Sequence, residues 1–227
     1  MGDSFWLSPA FIIAATVTGA AVCYSYVYLP VQMRNAYRQG LLTLARALET
    51  KDIGYLGHGE RVAEYVVAVA KEMHVPTAEI RKMEYAAFLQ DIGNVRVPHA
   101  ILNKTEEPTP EEVETLRSHA TIGAGIVEQV KFLRDISPII RHHHEDWDGS
   151  GYPDGIAGEE IPIGARIIAV CTAYDSMVHI RAYRPPMDEE EAIGQIRADA
   201  GAKYDPAVVD TFLRVLQKRQ IRERLSA

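Results

Sequence analysis

Cysteine is nearly absent: Cys23 and Cys171 are the only two in 227 residues. They sit in unlike surroundings and form no zinc spacing or disulfide framework, which suits a reducing compartment. A basic surplus is also missing, since 24 Lys and Arg face 31 Asp and Glu for a net charge of −7. That excludes a broad nucleic-acid surface, and no DNA partner is expected. A small anionic ligand stays open, because a metal or a few arginines can reverse the sign locally. No stretch alternates with period two for long enough to suggest a sheet, so the soluble part reads as all-α. Otherwise 47% hydrophobic and 24% charged residues are ordinary for a globular chain with room for one domain and an appendage.

Charge is missing altogether from residues 4–32, a mostly apolar run. About 20 apolar residues cross the hydrocarbon core of a bilayer. Trp6 at one end and Tyr24, Tyr26 and Tyr28 at the other suit the two interfacial belts. No Lys or Arg precedes the run and it exceeds a signal-peptide core, so an uncleaved anchor over residues 1–30 is expected. Arg34, Arg38, Arg46 and Lys51 follow it while Asp3 precedes it, which places the remainder on the cytoplasmic side of an inner membrane crossed once. Ala15 and Gly19 could let two such helices approach, a hint of a homodimer. Residues 31–50 read as a connector helix with Leu41, Leu44 or Ala45, and Leu48 on one stripe. That stripe fits packing on the domain and a dimeric seam equally. A cytoplasmic domain then covers residues 51–227.

Within it the apolar period is helical almost everywhere. Val62, Val66, Val69 and Met73 mark a core face over residues 58–73, and Pro76-Thr77 starts the next helix. Thr109, Pro110 and Glu112 combine an N-cap, a first-turn proline and a capping-box partner. That helix is expected to stop near His119, with a second over residues 122–130. Residues 135–145 read as the helix carrying a histidine run, 163–178 as a buried helix, and Asp188 with Glu191 as another cap. Asp205-Pro206 opens the last helix.

The chain is organised around residues 140–154, I-R-H-H-H-E-D-W-D-G-S-G-Y-P-D. Neighbouring helical residues point about 100° apart, so two adjacent imidazoles reach one site only from a helix end. The Gly and Pro cluster that follows supplies that end. His58, Asp91, His119, His143 and His144 are the polar exceptions in an apolar framework, and imidazole with carboxylate suits iron, manganese or zinc.

The segments H-H-E-D-W-D-G-S-G-Y-P-D-G and G-E-E-I-P-I-G-A-R-I-I-A-V, with H-G-E-R-V at His58, V-P-H-A-I-L-N-K at residues 97–104 and S-H-A-T-I-G around His119, resemble the HD-GYP family. This is the branch of the HD phosphohydrolases that hydrolyses cyclic di-GMP. The resemblance implies a bundle of about seven helices around a dinuclear or trinuclear metal centre. By motif, Asp91, His119, His143 and His144 would build one metal position. The other would use His58, the His of the HD pair, bridging Asp91 and a later Asp. Arg181 and Arg184 would hold substrate phosphates, with Asp175 nearby. The loop of Gly151, Tyr152 and Pro153 would contact GGDEF-type cyclases.

The sequence departs from that pattern where the second position should be. Gln90 replaces the HD histidine, Thr172 the later aspartate, Asn94 a lysine, and Gly54 the glutamate of three-metal members. Amide and hydroxyl oxygens are poor partners for a transition-metal dication beside imidazole. The expectation is a membrane-anchored protein holding at most one metal, impaired in catalysis and acting by binding cyclic di-GMP, a protein, or both. The alternative is an active phosphodiesterase with a substitute ligand: His142, Glu145 or Asp175.

Overall fold

The computed structural model describes residues 9–51, 56–179 and 186–226. The chain divides into two compact units, Met1–Leu41 and Leu42–Ala227. The division falls inside the helix expected over residues 31–50. In the first unit, α1 (Pro9–Cys23) passes through a π-helical turn at Tyr24–Tyr28 into α2 (Leu29–Glu49). The continuous run Pro9–Glu49 is long and apolar enough to cross a bilayer.

The second unit is helical throughout, and among the described residues no strand forms. Its centre is α3 (His58–Glu72), α4 (Thr77–Leu89) and α8 (Ile163–Val178). Val62, Val66 and Val69 are fully buried at helical spacing on α3, which packs against α4 and α8, where Met83, Ala86, Ala87, Ile167, Ile168 and Cys171 are buried in turn. Tyr65, Tyr174 and Phe212 meet edge to face at centroid separations of 5.1–5.8 Å, joining α3 and α8 to α10 (Pro206–Ser226). A Schellman closure ends α3. His74 takes the left-handed conformation at φ 58°, and the Val75 amide donates to the Ala70 carbonyl at 2.9 Å. Pro76 then launches α4.

The capping box at Thr109 forms as expected and opens α6 (Pro110–Glu128). This helix does not stop near His119. It runs as one piece through Ala120, Thr121 and Ile122, which contain no breaker, and Gly123 inside it serves packing. A Cβ on Gly93 would lie 1.9 Å from the His119 carbonyl oxygen, and one on Gly123 would lie 3.3 Å from the Gly93 nitrogen. The turn that follows Asp91 therefore sits directly on the α6 backbone.

The histidine run differs too. A 3₁₀ turn (Arg134–Ile136) and a short α7 (Ser137–Arg141) precede it, and His142–His144 lie beyond the helix end, in a turn. Asp188 caps α9 (Glu189–Ala198) through the Glu190 amide at 2.8 Å, rather than through Glu191. Asp205 accepts from the Ala207 amide at 2.8 Å and starts α10.

Candidate metal centre

Two segments bring the three imidazoles together. His119 comes from the middle of α6, and His143 and His144 from the turn after α7. That turn is pinned from both sides. The Trp147 and Asp148 amides donate to the Lys203 and Ala202 carbonyls at 2.9 Å each, and the Tyr152 amide donates to the His144 carbonyl at 3.1 Å. Gly151 permits the second contact, because a Cβ there would lie 2.2 Å from the Asp146 nitrogen. Glu145, buried, accepts from the Asp154 and Gly155 amides at 2.8 and 3.0 Å and fixes the far side of the loop.

One ring nitrogen from each of His119, His143 and His144 lies within 4.8 Å of the others. The Nε2 atoms of His119 and His143 are 3.4 Å apart. Ligands at about 2.1 Å from a tetrahedral ion are spaced at about 3.4 Å, so the fit is close. Two of the rings are also set in the right tautomer. His119 Nδ1 donates to the Leu116 carbonyl at 2.7 Å, and His143 Nδ1 to the Ile140 carbonyl at 2.6 Å. Both Nε2 lone pairs are left to face a common point. Asp91 Oδ1 stands 3.8 Å from His119 Nε2. Burial, reinforced by neighbouring His119, pushes the His143 imidazole down to about 4, and burial holds His144 well below its ordinary value. Neutral imidazoles are the form a metal requires. The donor set therefore fits one divalent ion.

The position expected to use His58 is built otherwise. Thr172 Oγ1 donates to Gln90 Oε1 at 2.8 Å, and Gln90 Nε2 donates to His58 Nε2 at 3.1 Å. His58 Nδ1 donates to Asp175 Oδ2 at 2.7 Å. Arg61 closes a fork on the same carboxylate at 2.7 and 2.9 Å, and His179 Nδ1 approaches Asp175 Oδ1 at 3.0 Å. Burial drives the Asp175 carboxyl up, but hydrogen bonds from His58 and Arg61 outweigh it and leave it below its ordinary range. The His58 lone pair that would hold an ion already accepts an amide proton. These residues do not fit a second metal.

Asp175, expected beside substrate, is 1% exposed and accepts from His58. His142 and Glu145 form a separate group with Asp154, which Arg141 grips through two bonds of 2.7 Å. None of these three expected substitutes offers an uncommitted carboxylate or ring toward His58. Arg181, Arg184 and Gly54 lie outside the described residues.

The imidazoles open into a cavity of about 550 Å³ lined by Asp91, Asn94, Lys104, Glu106, Glu107, Arg117, Leu116, His144 and Tyr152, among others. Tyr152 stacks on His144 with centroids 4.9 Å apart and planes 18° off parallel. The Arg117 guanidinium lies 5.1 Å from the Tyr152 ring centre. Sequence reasoning missed Arg117 and the His144 stack. Arg117 precedes His119 by two residues on a helix, and only the fold shows that this places it over the G-Y-P loop. Lys104 is already tied to Glu112 at 2.6 Å.

Residues 43–208 match the HD domain family. The chain is 36% identical over 185 residues to the cyclic di-GMP phosphodiesterase response regulator RpfG of Xanthomonas campestris, covering 81% of this chain and 49% of that protein. It is 39% identical over 174 residues to a cyclic di-GMP phosphodiesterase of Thermotoga maritima, covering 74% and 46%. It thus spans about half the length of these curated relatives. A cyclic GMP-AMP specific phosphodiesterase of V. cholerae shares the fold, with a TM-score of 0.65 at 19% identity over 84% of this chain and 51% of that one. The HD domain of the L. monocytogenes phosphodiesterase PgpH does so at a TM-score of 0.54 and 18% identity, over 79% and 98%. With the motifs around His58, His119 and residues 143–155 in their expected order, the chain belongs to the HD domain family and to its HD-GYP branch.

Proposed function

We propose that this chain is a membrane-anchored HD-GYP domain of cyclic di-GMP signalling that has kept one metal position, lost the other, and acts by binding rather than turnover. One observation carries the reading. The Thr172–Gln90–His58–Asp175 chain of hydrogen bonds closes the position where a second ion would sit. Two-metal hydrolysis needs ions on both the attacking and leaving oxygens. When bound, a single iron, manganese or zinc ion would supply Lewis acidity and positive charge at the His119, His143 and His144 nitrogens.

This chain's own residues provide the rest of a ligand site. Asp91 completes the donor set, Tyr152 offers an aromatic face to a base, and Arg117 offers a guanidinium to a phosphate. Asn94 stands where the family has a lysine, so a cation that would stabilise a phosphoryl transition state is missing. The inward placement of Tyr152 favours a cyclic dinucleotide as the primary partner, with a GGDEF-type protein as a second partner reached through the outer part of the loop. The apolar helix and the basic residues after it support an anchor over residues 1–30 with a cytoplasmic domain behind it.

The test combines metal analysis, binding and turnover on the purified full chain. At most one ion per chain, micromolar binding of cyclic di-GMP and no hydrolysis are expected. Two ions per chain with steady hydrolysis would return the protein to the working phosphodiesterases.

A further inference from the structure

Two charged side chains at and just beyond the end of α2 take no part in the donor set, yet one grips the backbone that follows Asp91 and the other the backbone around the neighbouring His58. The Glu49 carboxylate accepts from the Gly57 amide through Oε2 and from the Gly59 amide through Oε1, each at 2.7 Å. These amides flank His58. Gly57, the N-cap of α3 at φ 79°, has no side chain with which to cap its own helix. Glu49 supplies that cap from another element, with its negative charge at the helix N-terminus.

Lys51 acts in the same way, with opposite sign, on the other segment. Its Nζ donates to the carbonyls of Asn94 at 2.9 Å, Val95 at 3.2 Å and Val97 at 2.6 Å. These carbonyls end the 3₁₀ turn (Ile92–Val95) whose N-cap is Asp91. Asn103 Nδ2 in turn donates to the Lys51 carbonyl at 2.9 Å. A cavity of about 30 Å³, room for about one water, lies between this pair and His58, Gln90 and Asp91.

The Lys51 grip matters because the side-chain contacts of Asp91 are long. Its Oδ1 is 3.5 Å from Asn94 Nδ2 and 3.8 Å from His119 Nε2. A 3.5 Å contact is at the edge of hydrogen bonding, so the backbone turn sets where the carboxylate stands. One end of that turn is fixed by Gly93 against α6, and the other by Lys51. Only one residue separates Glu49 from Lys51, so a displacement of the α2 end pulls on both segments together.

We propose that Lys51 is a positioning residue for the metal centre, and that through it the seating of the α2 end, which Glu49 ties to the backbone around His58, sets metal affinity. The inference rests on the reading of His119, His143 and His144 as a metal site. Linkage makes the coupling reciprocal, so an ion bound at the site tightens the α2 end in return.

The test uses the full chain in detergent micelles and Mn²⁺ as the probe, with free ion read by electron paramagnetic resonance. Removing contacts that orient ligands typically weakens metal affinity about 10- to 100-fold. Lys51→Met is expected to weaken Mn²⁺ binding by that factor, and Lys51→Arg, which keeps the charge and the donors, to restore most of it. In the unaltered chain, Mn²⁺ loading is expected to slow amide exchange in peptides covering residues 57–59 and 94–97. Unchanged Mn²⁺ affinity in folded Lys51→Met overturns the proposal, as does exchange at residues 57–59 that ignores Mn²⁺. If Lys51→Met does not fold, the exchange experiment decides alone. If the unaltered chain binds no Mn²⁺, the metal reading falls and this inference falls with it. Binding that Lys51→Met leaves intact removes the coupling only.

Discussion

Restoring the ligands of the closed position should restore the position itself. In the double variant Gln90→His with Thr172→Asp, the bonds of 2.8 Å to Gln90 Oε1 and 3.1 Å to His58 Nε2 disappear. Each is a neutral buried hydrogen bond with a net value of about 1 kcal/mol. Depriving His58 Nε2 of its Gln90 donor adds about 1–3 kcal/mol. Metal-free, the double variant should therefore be less stable than the parent by about 3–5 kcal/mol. An ion at 100 times its dissociation constant returns about 2.7 kcal/mol. For a domain of this size, 1 kcal/mol moves the thermal midpoint by about 2–4 °C. Saturating Mn²⁺ should thus raise the midpoint of the double variant by about 5–11 °C more than it raises the parent's. Elemental analysis after desalting should find one more ion per chain, and hydrolysis of cyclic di-GMP should appear with it. A double variant that holds no more metal than the parent, or a parent that already holds two ions, would refute the assignment of Gln90 and Thr172 to a lost ligand pair.

The cavity lining sets Asp91, Glu106 and Glu107 against Lys104 and Arg117, so an anionic dinucleotide depends on the ion's charge. Chelation should weaken cyclic di-GMP binding by at least about tenfold by calorimetry, and unchanged affinity would reject a metal-assisted site. Arg117→Ala should cost about 1–2 kcal/mol of the same binding and flatten its salt dependence, whereas equal loss with an uncharged dinucleotide analogue would point to packing alone. Glu145→Gln weakens two charge-assisted bonds to the Asp154 and Gly155 amides and should destabilise the fold by about 1–3 kcal/mol in urea titration. In chelated protein, His143 stays neutral down to about pH 4, while an unfolded imidazole titrates near its ordinary value of about 6.5. The unfolded chain therefore takes up this proton first, and the residue's contribution to stability is complete above about pH 6.5 and is lost as pH falls toward about 4. Urea midpoints that do not move between those pH values would contradict a buried neutral His143.

What was legible in the sequence is what local chemistry fixes. Thr109, Pro110 and Glu112 announce a helix start within four residues, and the structure forms that cap with Glu112. Val62, Val66 and Val69 announce a core face by spacing alone. The glycines were harder to read, since one residue type serves as a stop signal and as a close-packing contact. Gly123 lies inside α6 because the Gly93 turn docks there, a contact about 30 residues away in sequence that no window reveals. The same limit applied at the site. Gln90 and Thr172 could be identified as departures from a ligand pattern, one at a time. That they bond to each other and to His58 is a tertiary fact, and it changes what the departures mean. Two independent losses would leave a polar hole, with His58 and Asp91 facing it unpaired at a cost of about 1–3 kcal/mol each. The observed chain gives each buried side-chain nitrogen and oxygen between Thr172 and the Arg61 fork on Asp175 a partner. The costs of replacing the two should therefore not add, because both act on one chain of bonds. A double-mutant cycle on Gln90→His and Thr172→Asp, run without metal, should give a coupling energy of about 0.5–3 kcal/mol, the range for residues in one hydrogen-bond network. Additive effects would mean that the two positions drifted separately.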